Sequence, residues 1–231
     1  MLAKLGVPAE GARVTADALV AADLEGVGSH GVMLLPLYAE RLLAGSVAKA
    51  GAGTVAHDGG SAVVIDAGNA LGQVTSRQAV DLLRSRAPRH GLASVAVRNG
   101  FHFGAAGYWA RLLADAGLVG IAMCNTRPLM PPPGGAERLV GNNPLAMAMP
   151  SEGGEPLVLD MALSASAMGK IRLAASAGRA IPEGWAVDAD GRPTTDPAAA
   201  IKGMLLPAAG PKGFGLAMMI DLLCGGLSGG A

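Results

Sequence analysis

Between Ala62 and Cys124 the chain alternates short apolar runs with longer amphipathic ones, and this alternation restricts the fold more than any other feature. Ala62–Ala67 reads as a buried strand, followed by the turn GNALGQ and a helix over Val74–Arg86. Ala93–Val97 is a second strand, NGFHFGAAG a glycine-rich turn, Tyr108–Asp115 a helix, and Leu118–Cys124 a third strand. Strands and helices that alternate in this way pack as helices on a sheet, which places the chain in the α/β class.

The flanking segments extend the pattern. Val14, Ala18, Leu19, Ala21 and Ala22 recur among Glu10, Arg13, Asp17 and Asp23 with helical spacing, beginning at Pro8 and ending near residue 25. An SHG turn then leads to a second helix, for which Pro36 suits the first turn and Gly45 the end. A linker of small residues spans Lys49–Thr54. Downstream, Leu145–Met149 and Leu157–Met161 are strands spaced for a hairpin across SEGGE, and a helix is expected from Ser164 to about Ser176. Residues 178–211 read as ordered loops with one short helix at Pro197–Lys202, and Gly213–Leu227 as a last apolar helix. The expected organisation is a helical N-terminal segment, 1–50, carrying the SHG turn, and an α/β region, 51–231. Because the sequence stops at Leu-Ser-Gly-Gly-Ala directly after an apolar helix, a truncated C-terminus is expected.

Composition narrows the function classes. Of 231 residues, 51% are hydrophobic but only 3% aromatic, so Ala, Val, Leu and Met must build the core. Lys plus Arg equals Asp plus Glu at 18 each, which leaves no electrostatic footprint for nucleic acid or an anionic membrane. No signal peptide or uninterrupted apolar span is visible, and the expectation is a soluble, cytoplasmic protein. Cys124 and Cys224 lack both metal-ligand spacing and a disulfide framework, so buried thiols and no metal are expected.

Four histidines carry most of the candidate chemistry, because imidazole exchanges protons near neutral pH. His57 and His90 sit in polar turns, where a solvent-facing ring is the default. His30 lies between Ser29 and Gly31 in a tight turn, where a hydroxyl can orient the imidazole and a glycine can admit substrate; alternatively Ser29 caps the next helix and His30 packs. His102 opens HFGAAG at a strand-to-helix junction, the usual ligand position of open α/β folds, or else it caps that helix. Lys212 precedes an apolar helix whose N-terminus can gather a phosphate, though a solvated lysine is the plainer reading. Asp160 ends an apolar strand and must find donors, either backbone amides or the hydroxyls of a cofactor. GxGxxG, GxSxG, HExxH and P-loop motifs are all missing, which lowers the odds of serine hydrolase, zinc protease and NTPase chemistry.

The ordered stretches DLEGVGSHGV, IDAGNALGQ, VRNGFHFGAAGYWA, PPPGG, VGNNPLAMAMP, LVLDMALSASAMGKI, IPEGWAVDADGRPTTDP and PKGFGLAMMIDLLCGGLSGG resemble the type 2 malate/L-lactate dehydrogenases, from Ala12 onward. That resemblance implies a non-Rossmann α/β fold with a mixed sheet and flanking helices. It also implies a homodimer that binds NAD or NADP and moves hydride between the cofactor and a small 2-hydroxy or 2-oxo carboxylate. By the same resemblance His30, beside Ser29, and His102 are the catalytic candidates. His102, Phe103, Gly104, Ala105, Ala106, Thr126, Asp160, Met161, Ala162, Lys212 and Gly213 match cofactor-contacting positions.

Several departures qualify the match. Many relatives place a carboxylate-clamping arginine where this chain has Leu34. Asn142, in GNNP, replaces a substrate-contacting threonine and retains an amide donor. Lys170 stands where imine-reducing relatives carry an aspartate, which favours alcohol/ketone chemistry. The alternative function is a catalytically inactive, truncated paralogue that serves as a ligand-binding or dimerisation module.

Overall fold

The computed structural model describes residues 1–230; Ala231, the last residue of the expected 51–231 region, lies outside the described residues. The chain divides into two compact units. The first comprises Met1–Ala122, Ala146–Asp160 and the stretch from Gly226; the second comprises Met123–Leu145 and Met161–Gly225.

In the first unit, α1 (Ala9–Leu24) buries Val14, Ala18, Leu19 and Ala22, the stripe its spacing dictates. Two 3-10 turns, Gly28–His30 and Val32–Leu34, lead into α2 (Leu35–Leu43), which carries Pro36 in its first turn and buries Tyr38 and Leu42 one turn apart. The carboxylate of Asp23 accepts the Val32 N–H at 2.9 Å and so holds the SHG turn against the end of α1. Strands β1 (Thr54–Asp58) and β2 (Ala62–Asp66) are antiparallel, whereas β2 and β3 (Ser94–Arg98) are parallel and joined through α3 (Gly72–His90). Helix α4 (Ala106–Ala114) follows, then β4 (Gly120–Met123), β5 (Leu145–Met149) and β6 (Leu157–Met161), hydrogen-bonded in that order. The α/β class with mixed sheet and flanking helices is therefore observed.

Among the described residues, apolar clusters join the helices and sheet of this unit. Leu19, Tyr38, Leu42, Leu71 and Val74 join α1, α2 and the start of α3; Val14, Ala18, Val80, Trp109 and Leu113 join α1, α3 and α4. The third consists of Ala106, Ala110 and Ala114 against Ala146 and Ala148, so α4 lies close on β5 through small side chains. This is how a chain with few aromatics attains close packing.

In the second unit, α5 (Met168–Ser176), the two-residue pair β7 (Ala186–Val187) and β8 (Met204–Leu205), α6 (Pro197–Lys202) and α7 (Pro211–Asp221) surround Leu163, Ile171, Leu205, Ala217 and Ile220, all nearly inaccessible. A π-helical turn, Leu222–Gly226, follows α7. Asp196 caps α6 by accepting the Ala198 and Ala199 N–H groups at 2.9 and 3.3 Å, and Pro197 occupies the first turn.

Three local expectations are corrected. Thr54–Asp58, taken as the end of a linker and a turn, is strand β1; all five residues are exposed, so no apolar alternation announces it. Helix α3 runs past Arg86 to His90, because Pro88 supplies a helical φ and forfeits one hydrogen bond in the final turn, which Gly91 then closes with φ 78°. Helix α5 begins at Met168 rather than Ser164, because Ala165 N–H donates to the Leu206 carbonyl at 2.7 Å and Ser164 bridges Pro207, keeping that stretch extended.

Candidate active site

Within the first unit, four segments bring together residues that are far apart in sequence. Ser29 and His30 come from the turn after α1, Tyr38 from α2, Gln73 from the first turn of α3, and His102 from the loop before α4. The imidazoles of His30 and His102 stack, with ring centroids 5.6 Å apart and planes inclined by 22°. Ser29 Oγ lies 3.0 Å from His30 Nδ1. Tyr38 Oη lies 2.7 Å from His102 Nδ1, Gly104 N–H donates to that same nitrogen at 3.3 Å, and Gln73 Nε2 donates to Tyr38 Oη at 2.9 Å. Gln73 is fully buried and its Oε1 has no partner, a cost on the order of 1–3 kcal/mol for a buried polar atom.

Burial lowers the pKa of both rings and so favours their neutral forms. It lowers the pKa of His30 against an opposing pull from the Asp160 carboxylate, and it pushes His102 down to about 4, with His30 adding to the push. His102 retains an open edge, so water screens part of that effect, and the direction carries the argument rather than its size. Burial likewise raises the Tyr38 phenol to about 12, which keeps its proton in place.

A pH dependence follows. Above the ordinary value of 6.5, folded and unfolded chains both hold a neutral His102; below it the unfolded chain takes up a proton that the folded chain refuses until about pH 4. Stability is therefore expected to fall as pH drops from 6.5 to about 4. Urea midpoints measured across that range for the wild type and His102→Gln check this, since the variant should show a shallower decline; equal slopes would contradict it.

Asp160, at the end of β6, accepts the Gly107 N–H at 2.8 Å and so caps the first turn of α4 with a negative charge. A Cβ on Gly107 would sit 2.9 Å from that carboxylate oxygen, so the Asp160 side chain would have to shift to admit one. Asp160 thus finds a backbone amide, as one of its two sequence readings expected. Phe103 accepts Trp109 Nε1–H at its carbonyl, 3.0 Å away, and the side chains of Ala105 and Ala106 are buried, so this loop offers a ligand mainly its backbone. Leu34 is half-buried and packs on the Leu19–Tyr38–Leu42 cluster.

Within the second unit, Thr126 Oγ1 donates to Asn142 Oδ1 at 2.9 Å, which leaves the Asn142 amino group to donate elsewhere. Buried Asn143 accepts the Thr126 N–H at 2.8 Å and donates to the Ala217 carbonyl in α7 at 2.8 Å, fixing the turn that carries Asn142. Lys212 is exposed in the first turn of α7, which has no acidic residue and no side-chain cap. Gly213 is buried with no room for a Cβ beside the Ala208 carbonyl. Met161 closes β6 and Ala162 follows it, both half-buried. His57 and His90 are exposed on β1 and at the end of α3.

Asp23, Tyr38, Gln73 and Asn143 were not singled out from sequence. A polar glutamine inside the apolar start of α3 was the one visible signal; the other three reveal their roles only through distant partners.

This arrangement, an α/β fold with stacked imidazoles held by hydrogen bonds from behind, suits proton transfer at a small polar substrate. The chain belongs to the malate/L-lactate dehydrogenase family, whose pattern it matches over residues 1–231. It is 43% identical over 228 residues to an NAD(+) ureidoglycolate dehydrogenase of Escherichia coli O157:H7, covering 99% of this chain and 65% of that protein. It is 44% identical over 228 residues to an NADP(+) (2R)-3-sulfolactate dehydrogenase of Chromohalobacter salexigens, covering 99% and 68%. The solved structure of a sulfolactate dehydrogenase from Methanocaldococcus jannaschii superposes with a TM-score of 0.91 at 43% identity, covering 96% of this chain and 64% of that one. The chain spans about two thirds of the length of the curated relatives it matches.

Proposed function

We propose that this chain forms the catalytic part of an NAD- or NADP-dependent oxidoreductase that transfers hydride between the nicotinamide and C2 of a small 2-hydroxy or 2-oxo carboxylate. The observation that carries this reading is the stacked pair His30 and His102, each with its Nδ1 engaged by neighbouring groups. The named activities of the relatives, on ureidoglycolate and sulfolactate, support the substrate class.

When bound, the nicotinamide supplies or accepts the hydride. His30, oriented by Ser29, takes the hydroxyl proton during oxidation and returns it during reduction. Burial disfavours a proton on both rings, but at His30 the Asp160 carboxylate opposes that effect whereas at His102 the neighbouring imidazole adds to it, so the proton-handling role is assigned to His30. His102 contacts the C2 oxygen or the nicotinamide. No metal enters this scheme.

The residues fit a dinucleotide. An exposed lysine at the positive end of α7, without an acidic neighbour in that turn, is unfavourable until an anion arrives, so Lys212 and the first turn of α7 would hold a phosphate. In the first unit the backbone of His102–Ala106 and Asp160 would contact the cofactor; in the second, Thr126, Met161, Ala162 and Gly213 are the cofactor candidates and the Asn142 amino group the substrate-carboxylate candidate. The working form is a homodimer in the cytoplasm.

A second reading, an inactive paralogue that binds ligand without turnover, draws on Leu34, whose apolar side chain packs on the core and provides no carboxylate clamp. Mixing the purified protein with NADH or NADPH and a panel of 2-oxoacids separates the two. Loss of the reduced-nicotinamide absorbance with at least one pair is expected; no loss with any pair favours the second reading.

A further inference from the structure

We propose that Gln73 is a positioning residue that acts through Tyr38 to hold the neutral His102 ring in its Nε2–H form, so that His102 meets the substrate's C2 oxygen as a hydrogen-bond donor. The donor role rests on the oxidoreductase reading; the choice of tautomer does not.

The direction of each hydrogen bond follows from counting donors. Gly104 N–H can only donate, and it points at His102 Nδ1 from 3.3 Å, so Nδ1 must be the unprotonated nitrogen and the ring proton must sit on Nε2. Tyr38 Oη, 2.7 Å from the same Nδ1, must then give its proton to it. A phenol that donates in one direction can accept in another, and Gln73 Nε2 at 2.9 Å fills that position. Reversing the Gln73 amide would place Oε1 against Tyr38, draw the phenol proton to the glutamine, and force a proton onto Nδ1 directly opposite the Gly104 N–H. The observed orientation avoids two opposed donors, and it leaves Gln73 Oε1 buried without a partner among the described residues.

Among the described residues Gln73 hydrogen-bonds to Tyr38 and to neither imidazole, and it is completely buried, so its effect on the ring is exerted through Tyr38. The unpaired Oε1 shows that this amide does not make the full set of bonds a purely structural glutamine would have. Its one bond is the one that sets the polarity of the relay. The first turn of α3, the middle of α2 and the loop before α4 are thereby tied to a single proton position.

The test is the tautomer of His102, read from its two ring nitrogen shifts by NMR on histidine-labelled protein at pH 7.5 without cofactor. The expected wild-type state is predominantly Nε2–H. Gln73→Met, which keeps the length and removes the donor, and Tyr38→Phe should each raise the Nδ1–H share by roughly 2- to 10-fold, the loss of about one hydrogen bond. A wild-type Nδ1–H ring, or a tautomer ratio unmoved in folded Gln73→Met whatever Tyr38→Phe does, overturns the proposal. In turnover, Gln73→Met should lower kcat roughly tenfold or more while the KM for cofactor stays within about twofold. A shifted tautomer with unchanged kcat overturns the donor role. Failure of the wild type to turn over any 2-oxoacid would instead reject the oxidoreductase reading, and the tautomer result would still be readable.

Discussion

His30→Gln is expected to lower kcat by about 10²–10⁴-fold, the usual contribution of a positioned general acid or base. Glutamine preserves the size of the side chain and can still bond Ser29, which lies 3.0 Å from the ring nitrogen it would replace. What it loses is the capacity to take up a proton near neutral pH. Because the His30 pKa is lowered by burial while Asp160 opposes the shift, the ring is neutral and ready to accept when the hydroxy acid is oxidised. The loss should fall on kcat, with the cofactor KM little altered. A variant with wild-type turnover would remove His30 from the mechanism.

Gly72→Ala is expected to destabilise the protein by about 1–3 kcal/mol, the range for overpacking a close contact, and to impair catalysis as well. Gly72 opens α3, and a Cβ there would overlap the Phe101 carbonyl oxygen and lie 2.7 Å from Phe103 Cβ and 2.8 Å from the His102 carbonyl carbon. Neither side can yield easily. Leu71 and Val74 anchor the start of α3 in the core, and Trp109 Nε1–H holds the Phe103 carbonyl. The Tm should fall by roughly 2–10 °C for a chain of this size, and displacing His102 by about 1 Å can cost on the order of 10²-fold in rate. Gly169→Ala provides the control, because its Cβ would meet nothing within 4 Å. A Gly72→Ala protein with unchanged Tm and turnover would mean that the loop bearing His102 is free to shift.

Local signals made much of the fold legible. Pro197–Lys202 was bounded correctly because Asp196 and Pro197 are a cap and a first-turn residue in immediate succession. Both Leu145–Met149 and Leu157–Met161 were apolar enough to stand out. β1 escaped because an exposed strand beside the sheet's edge carries no apolar alternation, and the stretch from Ser164 to Ala167 escaped because its partners are near residue 207. Tertiary pairing overrides local preference in such places.

The candidate site divides in the same way. His30 and His102 could be singled out by residue type and by the turns they occupy. Their stacking, and the support of His102 by Tyr38 and Gln73, depend on contacts between residues 72, 64 and 35 positions apart, which no local pattern encodes. Asp160 was flagged as a carboxylate needing donors, but that the donor is Gly107, 53 positions earlier, emerges only from the packing of α4 on the sheet. Leu34 could be read as a missing arginine; its place on the core could not.

The central claim, hydride transfer to C2 with proton exchange at His30, is tested most directly with cofactor deuterated at nicotinamide C4 on the transferring face. Reduction of an accepted 2-oxoacid should place one deuterium on C2 of the product and none on its oxygen in ordinary water, and His30→Gln should slow the reaction without changing where the deuterium goes. Product lacking deuterium at C2, or no reduction of any 2-oxoacid by either cofactor, would contradict the account.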